Sequence, residues 1–411
     1  MTTFRNPFKP GAGHMPPYLA GREAAIEEVL RYLDQDVILT NIVLTGLRGV
    51  GKTVLLETIK PQVIARHWHW VGTDLSESAS ISEDSLATRL LADLSVITSS
   101  ILVAQREIRG PGFLSTGTRV IQTLDFHMLR SVFSEAPGLV ADKLKHTLDL
   151  VWQAMPESSP GRGVVFAYDE AQNLADHAQK EQYPLSMLLD VFQSLQKKGL
   201  PYLLILTGLP TLFPKLVEAR TYAERMFHVV MLDRLSEAES REAIVRPTDK
   251  PECPVSFEPA TVQRIVAESA GYPYFVQFIC REVFDVFVQQ DSVARTAPIE
   301  AIVNKLDADF FAGRWARATD RQRHLMSIIA ELPDADSEFS VQEIAEQSKL
   351  SASKPFSPSH VNQMLASLAA AGLIFKNRHG RYAFAVPLLG HFIRRQGGAL
   401  DTSAGQASAP P

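Results

Sequence analysis

Eight consecutive residues, Gly46-Leu47-Arg48-Gly49-Val50-Gly51-Lys52-Thr53, carry the most specific chemistry of the chain. They fit the pattern G-x-x-x-x-G-K-[ST], in which glycines let backbone N–H groups turn inward around phosphates. In that arrangement the segment Gly46 to Gly51 forms the cradle, Lys52 reaches the β- and γ-phosphates, and the Thr53 hydroxyl ligates Mg²⁺. The flanks suit the task. Ile42-Val43-Leu44 reads as a short buried strand leading in, and Thr53 to Lys60 as a helix leading out, whose start adds a favourable dipole.

A second constellation lies downstream. Gly163-Val164-Val165-Phe166-Ala167-Tyr168 is an apolar, β-rich run that ends in Asp169-Glu170. A strand buried on both faces has this composition, and ligand chemistry sits beyond the carboxyl ends of such strands. Asp169 suits the Mg²⁺ shell, directly or through water, and Glu170 suits the polarisation of an attacking water. The alternative is that the two carboxylates cap a following helix. A further strand, Tyr202 to Leu206, ends in Thr207-Gly208; Thr207 is placed to touch the γ-phosphate or the water, although Thr-Gly is also ordinary turn chemistry.

These groups need a scaffold that brings several strand ends together. From roughly Asn41 to Leu232 strand-like and helix-like segments alternate, which predicts a largely parallel sheet. Before it, Ala25, Ile26, Val29, Leu30 and Leu33 recur at helical spacing. A long insertion, about Ser99 to Gly138, separates the strands near His67–Val71 and Gly163–Tyr168; a surface excursion is the expectation, with a hairpin or partner-binding element as alternatives. After the core, three helical segments (about Glu258–Ala270, Tyr274–Val288 and Ile299–Phe311) suggest a small lid.

Length and composition restrict the class. With 411 residues, 45% of them hydrophobic, the chain can bury a large core over two or three domains. Cys253 and Cys280 are far apart and match no metal-ligand spacing, which fits unbridged thiols in a reducing compartment. Met1 to Met15 lacks the apolar core of a signal peptide, and no run approaches a membrane span, so the expected location is cytoplasmic, with no membrane partner. The net charge of −5 neither suggests nor excludes a polyanionic partner.

Two motifs are decoys. Asn304-Lys305-Leu306-Asp307 matches the N-K-x-D pattern that reads guanine, yet it sits in a helical pattern of Ile299, Ile302, Val303, Leu306 and Phe310 and reads as a solvated helix face. The expected base is therefore adenine and the nucleotide ATP. Alternate histidines on a strand, as His67 and His69 would be, can share a face, but two ligands without a third make a weak metal site, and plain strand residues are the expectation.

The phosphate loop and the strand ending in Asp169-Glu170 resemble those of AAA+ ATPases of the initiator and origin-recognition kind, and equally those of archaeal-type and STAND ATPases. The resemblance spans about Pro17 to Gln396. It implies that Leu19-Ala20-Gly21-Arg22-Glu23 lies beside the adenine, with Gly21 and Arg22 at the nucleotide. It also implies that an arginine before the last core strand acts on a neighbouring subunit's γ-phosphate. Arg225 is the candidate and Arg220 the rival, with an ordinary exposed loop arginine as the alternative. If Arg225 works in trans, the active form is a homo-oligomer. Where initiators place an arginine at the start of a lid helix, this chain has Gly271-Tyr272-Pro273-Tyr274. A glycine-x-proline motif there is similar to the STAND and archaeal-type proteins, in which Pro273 would pack near the base; the other reading is a turn that starts a helix.

The C-terminal part, about Thr319 to Gln396, reads as a winged helix: helices Arg321–Ala330, Val341–Gln347 and His360–Ala371, then a wing Ile374–Phe384 turning at Arg378-His379-Gly380. From Ser348 to Leu400 every charged residue is basic, and Lys376, Arg378 and Arg381 on a wing could hold DNA phosphates. The third helix tempers this, because its stretch Met364 to Ala371 offers few groups that read bases.

The expected fold is thus α/β, a P-loop NTPase parallel-sheet core with a helical lid and a C-terminal winged helix. Its parts are an extended arm (1–17), the ATPase core (18–235, insertion 99–138), the lid (236–316), the winged helix (317–396) and a disordered tail (397–411). The expected function is an ATP-binding, ATP-hydrolysing switch that couples nucleotide state to a protein partner. The alternatives are a nucleotide-gated DNA-binding protein and a scaffold that binds ATP structurally.

Overall fold

Strands covered by helices on both faces have no solvent side to keep polar, and the uniformly apolar runs of this sequence become such strands. The computed structural model describes residues 4–11, 13–35, 37–108, 118–155, 161–289, 297–351, 354–378 and 380–396. The chain divides into two units: a sheet unit (Glu23–Gly46 and Lys52–Leu232) and a helical unit (Met1–Arg22, Leu47–Gly51 and Asp233–Pro411).

The sheet unit opens with α1 (Glu23–Leu33), β1 (Asn41–Thr45), α2 (Lys52–Ala65), β2 (Trp68–Val71) and α3 (Glu83–Thr98). A hairpin of β3 (Leu102–Ile108) and β4 (Thr118–Thr123) follows, then α4 (Phe126–Glu135) and α5 (Val140–Ala154). The unit closes with β5 (Gly163–Tyr168), α6 (Pro184–Lys197), β6 (Tyr202–Gly208), α7 (Leu212–Ala219), α8 (Ala223–Met226) and β7 (Phe227–Met231). Five strands form one sheet in the order β2-β5-β6-β1-β7, parallel throughout. Every residue of β1, β5 and β6 is buried. Leu86, Leu90 and Leu94 of α3 and Leu188 and Phe192 of α6 pack with Phe166 and Leu204 in one core. At about 25 cal/mol per Å² of apolar area removed from water, such packing is what fixes the strand ends in space.

Two expectations about this unit need amendment. The helix after the phosphate loop runs to Ala65 and not to Lys60, passing through Pro61. Proline costs the helix the bond to the Glu57 carbonyl, and burial of Leu55, Leu56, Ile59 and Val63 along one face sustains it. The insertion expected at 99–138 contains the hairpin, and its last part is the helix α4, with Leu129 and Phe133 fully packed in the core. Residues 109–117 lie outside the described part.

The helical unit contains α9 (Glu237–Val245), α10 (Pro259–Ser269), α11 (Pro273–Gln289) and α12 (Ile299–Leu306), which runs into a π-helical segment (Asp307–Phe311) and α13 (Ala312–Trp315). Then come α14 (Asp320–Ala330), β8 (Phe339–Ser340), α15 (Val341–Ser351), α16 (Pro358–Ala370), β9 (Ile374–Arg378) and β10 (Arg381–Phe384), with 389–396 helical. The three strands form an antiparallel sheet ordered β8-β10-β9. Near the N-terminus, Phe8 is 1% exposed and packs on Phe257 and Phe284. The N-K-x-D decoy does lie on a helix, but Asp307 is not solvated. It is buried and takes a two-pronged ion pair from Arg395, at 2.8 and 2.5 Å. The expected disordered tail, 397–411, and His379 of the expected wing turn lie outside the described residues. Among the described residues no helix is long and apolar enough to cross a membrane.

Candidate functional site

The register of the sheet brings the carboxyl ends of β1, β5 and β6 side by side. Thr45 at the end of β1 pairs with Gly208 of β6, and Tyr168 at the end of β5 pairs with Leu206. Polar residues that follow these strands therefore share one rim of the sheet, the place where open α/β sheets hold ligands.

On that rim the Thr53 hydroxyl donates to Asp169 Oδ2 at 2.5 Å. Asp169 is 4% exposed and accepts a second bond, from the Glu170 N–H to Oδ1, at 2.8 Å. A hydroxyl and a carboxylate so close together are a hard-oxygen donor set of the kind Mg²⁺ takes, with waters and phosphate oxygens completing its shell. Lys52, nearly buried, sends Nζ to the Gly46 carbonyl at 3.0 Å and so curls over its own loop. Gly49 and Gly51 have φ of +81° and +93°. Side chains rarely adopt that left-handed region, so both positions favour glycine; the pattern itself requires it at Gly51, while Gly49 fills one of its open positions. Around Gly51 there is open space for a Cβ, so its conformation alone demands glycine.

Glu170 also lies in the left-handed region, at φ 52° and ψ 32°. Such backbone in a non-glycine residue costs about 1–3 kcal/mol and persists where surroundings enforce it. Here the enforcement comes from Asp169 Oδ1 on its N–H and from Gln172, whose amide donates to the Glu170 carboxylate. Thr207 is fully buried at the end of β6, and among the described residues its hydroxyl has no partner; the same holds for Thr45 Oγ1 at the end of β1. Thr45 and Gln172 escaped the sequence reading. Thr45 directly precedes the motif and was legible as a strand-end hydroxyl. Gln172 carried no signal, because its partners are set by tertiary structure.

The two arginines considered for action in trans separate cleanly. Arg220 makes a bidentate pair with Asp190 (3.1 and 2.8 Å) and donates to Ser186 Oγ at 2.8 Å. Its hydrogen bond to Asp190 pushes its pKa further up, and it is committed within the fold. Arg225 is exposed on α8, and among the described residues it has no ion pair and no side-chain hydrogen bond. The structure does not bring it to the Thr53–Asp169 pair.

In the helical unit, Arg22 is buried and its guanidinium donates to Gly21 O at 3.0 Å, Val50 O at 3.0 Å and Asp233 O at 2.9 Å. It ties down the main chain of the phosphate loop. Pro273 is the first residue of α11, and the Tyr274 N–H donates to Gly49 O at 3.2 Å, a second tie on the same loop. Leu47 is half-buried, Val50 buried, and Arg48 exposed.

Three of the seven basic residues at the C-terminal end are paired inside the chain, and the side chain of Arg378 lies outside the described part. Arg381 holds Glu343 at 2.8 and 2.9 Å, Arg394 holds Asp336 at 3.1 Å, and Arg395 holds Asp307. Lys349, Lys354 and Lys376 are exposed and have no ion pair among the described residues. On α16 the exposed positions include Asn362 and Gln363, the two amides of that helix.

Residues 18–217 match the family model described as "AAA ATPase domain". That span carries the loop Gly46–Thr53 and the Asp169–Glu170 pair, and this part of the chain is an AAA+ P-loop ATPase domain. Residues 308–393 match a model described as a domain of unknown function, DUF8462. No curated protein matches the sequence. Among solved structures, the chain is similar to the Aeropyrum pernix ORC1 protein in complex with DNA (13% identity, TM-score 0.46, 94% of this chain and 95% of that one). It is similar also to the Aeropyrum pernix ORC2 protein in ADPNP-ADP complexes (15%, 0.47, 94% and 97%) and to AMPPCP-bound DnaA from Aquifex aeolicus (12%, 0.40, 96% and 97%). Likenesses at these scores carry no functional weight.

Proposed function

We propose that the chain is an ATP-hydrolysing switch whose nucleotide state is sensed by a partner. The observation that carries the reading is the 2.5 Å contact between Thr53 and Asp169, which lie 116 residues apart. The motif hydroxyl and the strand-end carboxylate meet as a joint metal-and-phosphate site requires, which a pair of unrelated helix caps would not do. In this reading the N–H groups of Leu47 to Thr53 and the Lys52 ammonium bind the β- and γ-phosphates. Thr53 and Asp169 would hold Mg²⁺, which when bound would neutralise charge developing on the phosphate oxygens. Glu170 accepts the proton of a water whose oxygen attacks the γ-phosphorus as the bond to the β–γ bridging oxygen breaks. Thr207 orients that water or the γ-phosphate, and Arg225 completes the site of a neighbouring copy.

The test is ATP turnover by the wild type, Lys52→Ala and Glu170→Gln. Turnover in the wild type that both substitutions abolish supports the reading. Equal turnover in all three sinks it, and ATP binding that needs Lys52 without any turnover leaves a structural nucleotide site in its place.

A second reading, nucleotide-gated DNA binding through a winged helix formed by α14 to β10, is favoured by one observation. Asn362 and Gln363 stand exposed on α16 while Lys354 and Lys376 are exposed in the same module, and amide side chains are the usual readers of adenine in a groove. Duplex DNA that stimulates turnover in a Lys376-dependent way would favour it.

A further inference from the structure

The Glu170 carboxylate does not stand alone at the rim. Its partner, Gln172, is fastened at three points within the sheet unit. Its amide nitrogen donates to Glu170 Oε2, its amide oxygen accepts from the Leu209 N–H at 3.2 Å, and its main-chain carbonyl accepts from Lys215 Nζ at 2.8 Å. The Lys215 ammonium is half-buried, and burial lowers its pKa. The fit around the side chain is close. A Cβ placed on Gly208 would lie 2.6 Å from Gln172 Oε1, so a glycine at the end of β6 is what makes room for the amide. Residues 171–173 form a single 3-10 turn with Ala171 fully buried, and Asn173 is pinned to Leu75 O at 2.8 Å.

A carboxylate that must take a proton from a water works only in a narrow range of positions, and misplacement by about 1 Å can cost a hundredfold in rate. Glu170 has a strained backbone and a two-carbon stem, and neither fixes its carboxyl group. The amide of Gln172 does: it occupies Oε2 and leaves Oε1 as the oxygen available to water. The amide is itself anchored on the turn after Thr207-Gly208, the strand end whose threonine hydroxyl is buried and has no partner among the described residues.

We infer that Gln172 is a positioning residue that locks the Glu170 carboxylate to the turn after β6, so that base and strand end move as one body. The inference rests on the assignment of Glu170 as base in the proposed function. It ascribes no contact with nucleotide to Gln172.

The experiment compares kcat and KM for ATP in the full-length wild type, Gln172→Ala, Gln172→Glu, Glu170→Ala and the double variant Glu170→Ala/Gln172→Ala, with fluorescent-ADP binding measured alongside. Expected for Gln172→Ala is a fall in kcat of about tenfold or more, with KM and ADP affinity within about twofold. Gln172→Glu keeps the acceptor for the Leu209 N–H and the shape against Gly208, but sets a second carboxylate against Glu170; its kcat falls further. It also carries the test should Gln172→Ala fold poorly. In the Glu170→Ala background, under single-turnover conditions, removing Gln172 changes the residual rate by less than about twofold, because the two act through one group. Wild-type or raised kcat in both Gln172 variants overturns the inference, as does an undiminished loss in the Glu170→Ala background. Full turnover in Glu170→Ala would instead overturn the assignment of Glu170 itself, so the two failures are distinct.

Discussion

Replacing Thr53 by valine keeps the shape of the side chain and removes one hydroxyl. In the nucleotide-free protein the Asp169 carboxylate, 4% exposed, then loses a donor 2.5 Å away and keeps the Glu170 N–H. A hydrogen bond to a charged group contributes about 1.5–3 kcal/mol. For a unit of about 200 residues, each kcal/mol moves the melting temperature by roughly 2–4 °C, so the expected drop is roughly 3–12 °C. The second effect is on ligand linkage. A ligand at a hundred times its Kd stabilises by about 2.7 kcal/mol, and the portion contributed by Mg²⁺ depends on the Thr53–Asp169 oxygens. Melting is measured without ligand, with ATP and EDTA, and with ATP and Mg²⁺. Thr53→Val should retain the shift given by ATP and EDTA and lose most of the increment that Mg²⁺ adds. A variant that melts like the wild type without ligand and keeps the full Mg²⁺ increment would falsify the pairing as the organiser of the site.

Four further outcomes are expected. Arg22→Met deprives the Val50 and Asp233 carbonyls of a charged donor; it should raise KM for ATP several-fold and cost at least about 2 kcal/mol in urea unfolding. Arg220→Ala should lower the melting temperature by breaking the bidentate pair with Asp190, whereas Arg225→Ala should leave stability within about 0.5 kcal/mol and reduce turnover, with activity partly regained on mixing with Glu170→Gln subunits. The Asp336 carboxyl is held below the ordinary aspartate value of 3.8, first by its hydrogen bond from His391 and also by Arg394. A depressed carboxylate contributes stability that is present above the unfolded value and lost as pH falls through the folded one. The stability gap between wild type and Asp336→Asn should therefore be open at pH 5 and close below about pH 3.8 in acid titrations followed by circular dichroism. With duplex DNA, Lys349, Lys354 and Lys376, which have no ion pair among the described residues, imply a slope of log Kobs against log salt near −3, at about −0.9 per phosphate contact; a slope beyond −6 would contradict that count.

The sheet was legible because its central strands are apolar at every position. Runs such as Gly163–Tyr168 and Ile42–Leu44 announce burial on both faces, and only a parallel, helix-covered sheet supplies that. The phosphate loop was legible because positive φ at Gly49 and Gly51 constrains residue type directly. Local pattern failed where a tertiary partner decided the outcome. Pro61 stays inside α2 because the helix has a buried face to hold it. Asp307 turns inward because Arg395, 88 residues on, is there to meet it. Gln172 reads as an ordinary polar residue after a strand, and its neighbour Leu209 lies 37 residues away.

The basic C-terminal segment shows how the same limit bears on function. Read along the chain, an unbroken series of positive charges looks like a nucleic-acid footprint, since sequence displays charge without its counter-charge. Folded, Arg381, Arg394 and Arg395 meet Glu343, Asp336 and Asp307, which all lie before residue 348, outside the stretch that looked uncompensated. These carboxylates sit on α15, the loop before β8 and the end of α12, so the arginines join the closing helix and β10 to the elements that precede them. Arg395 does so with Asp307 at a π-helical segment, where Phe311 also stacks on Phe392 at 5.2 Å. A half-buried guanidinium engaged by two carboxylate oxygens is poorly available to phosphate, because leaving would strand a buried carboxylate. The charge pattern of this segment is therefore in part a record of how the C-terminal module is held together, and among the described residues the basic groups left exposed in it are Lys349, Lys354 and Lys376.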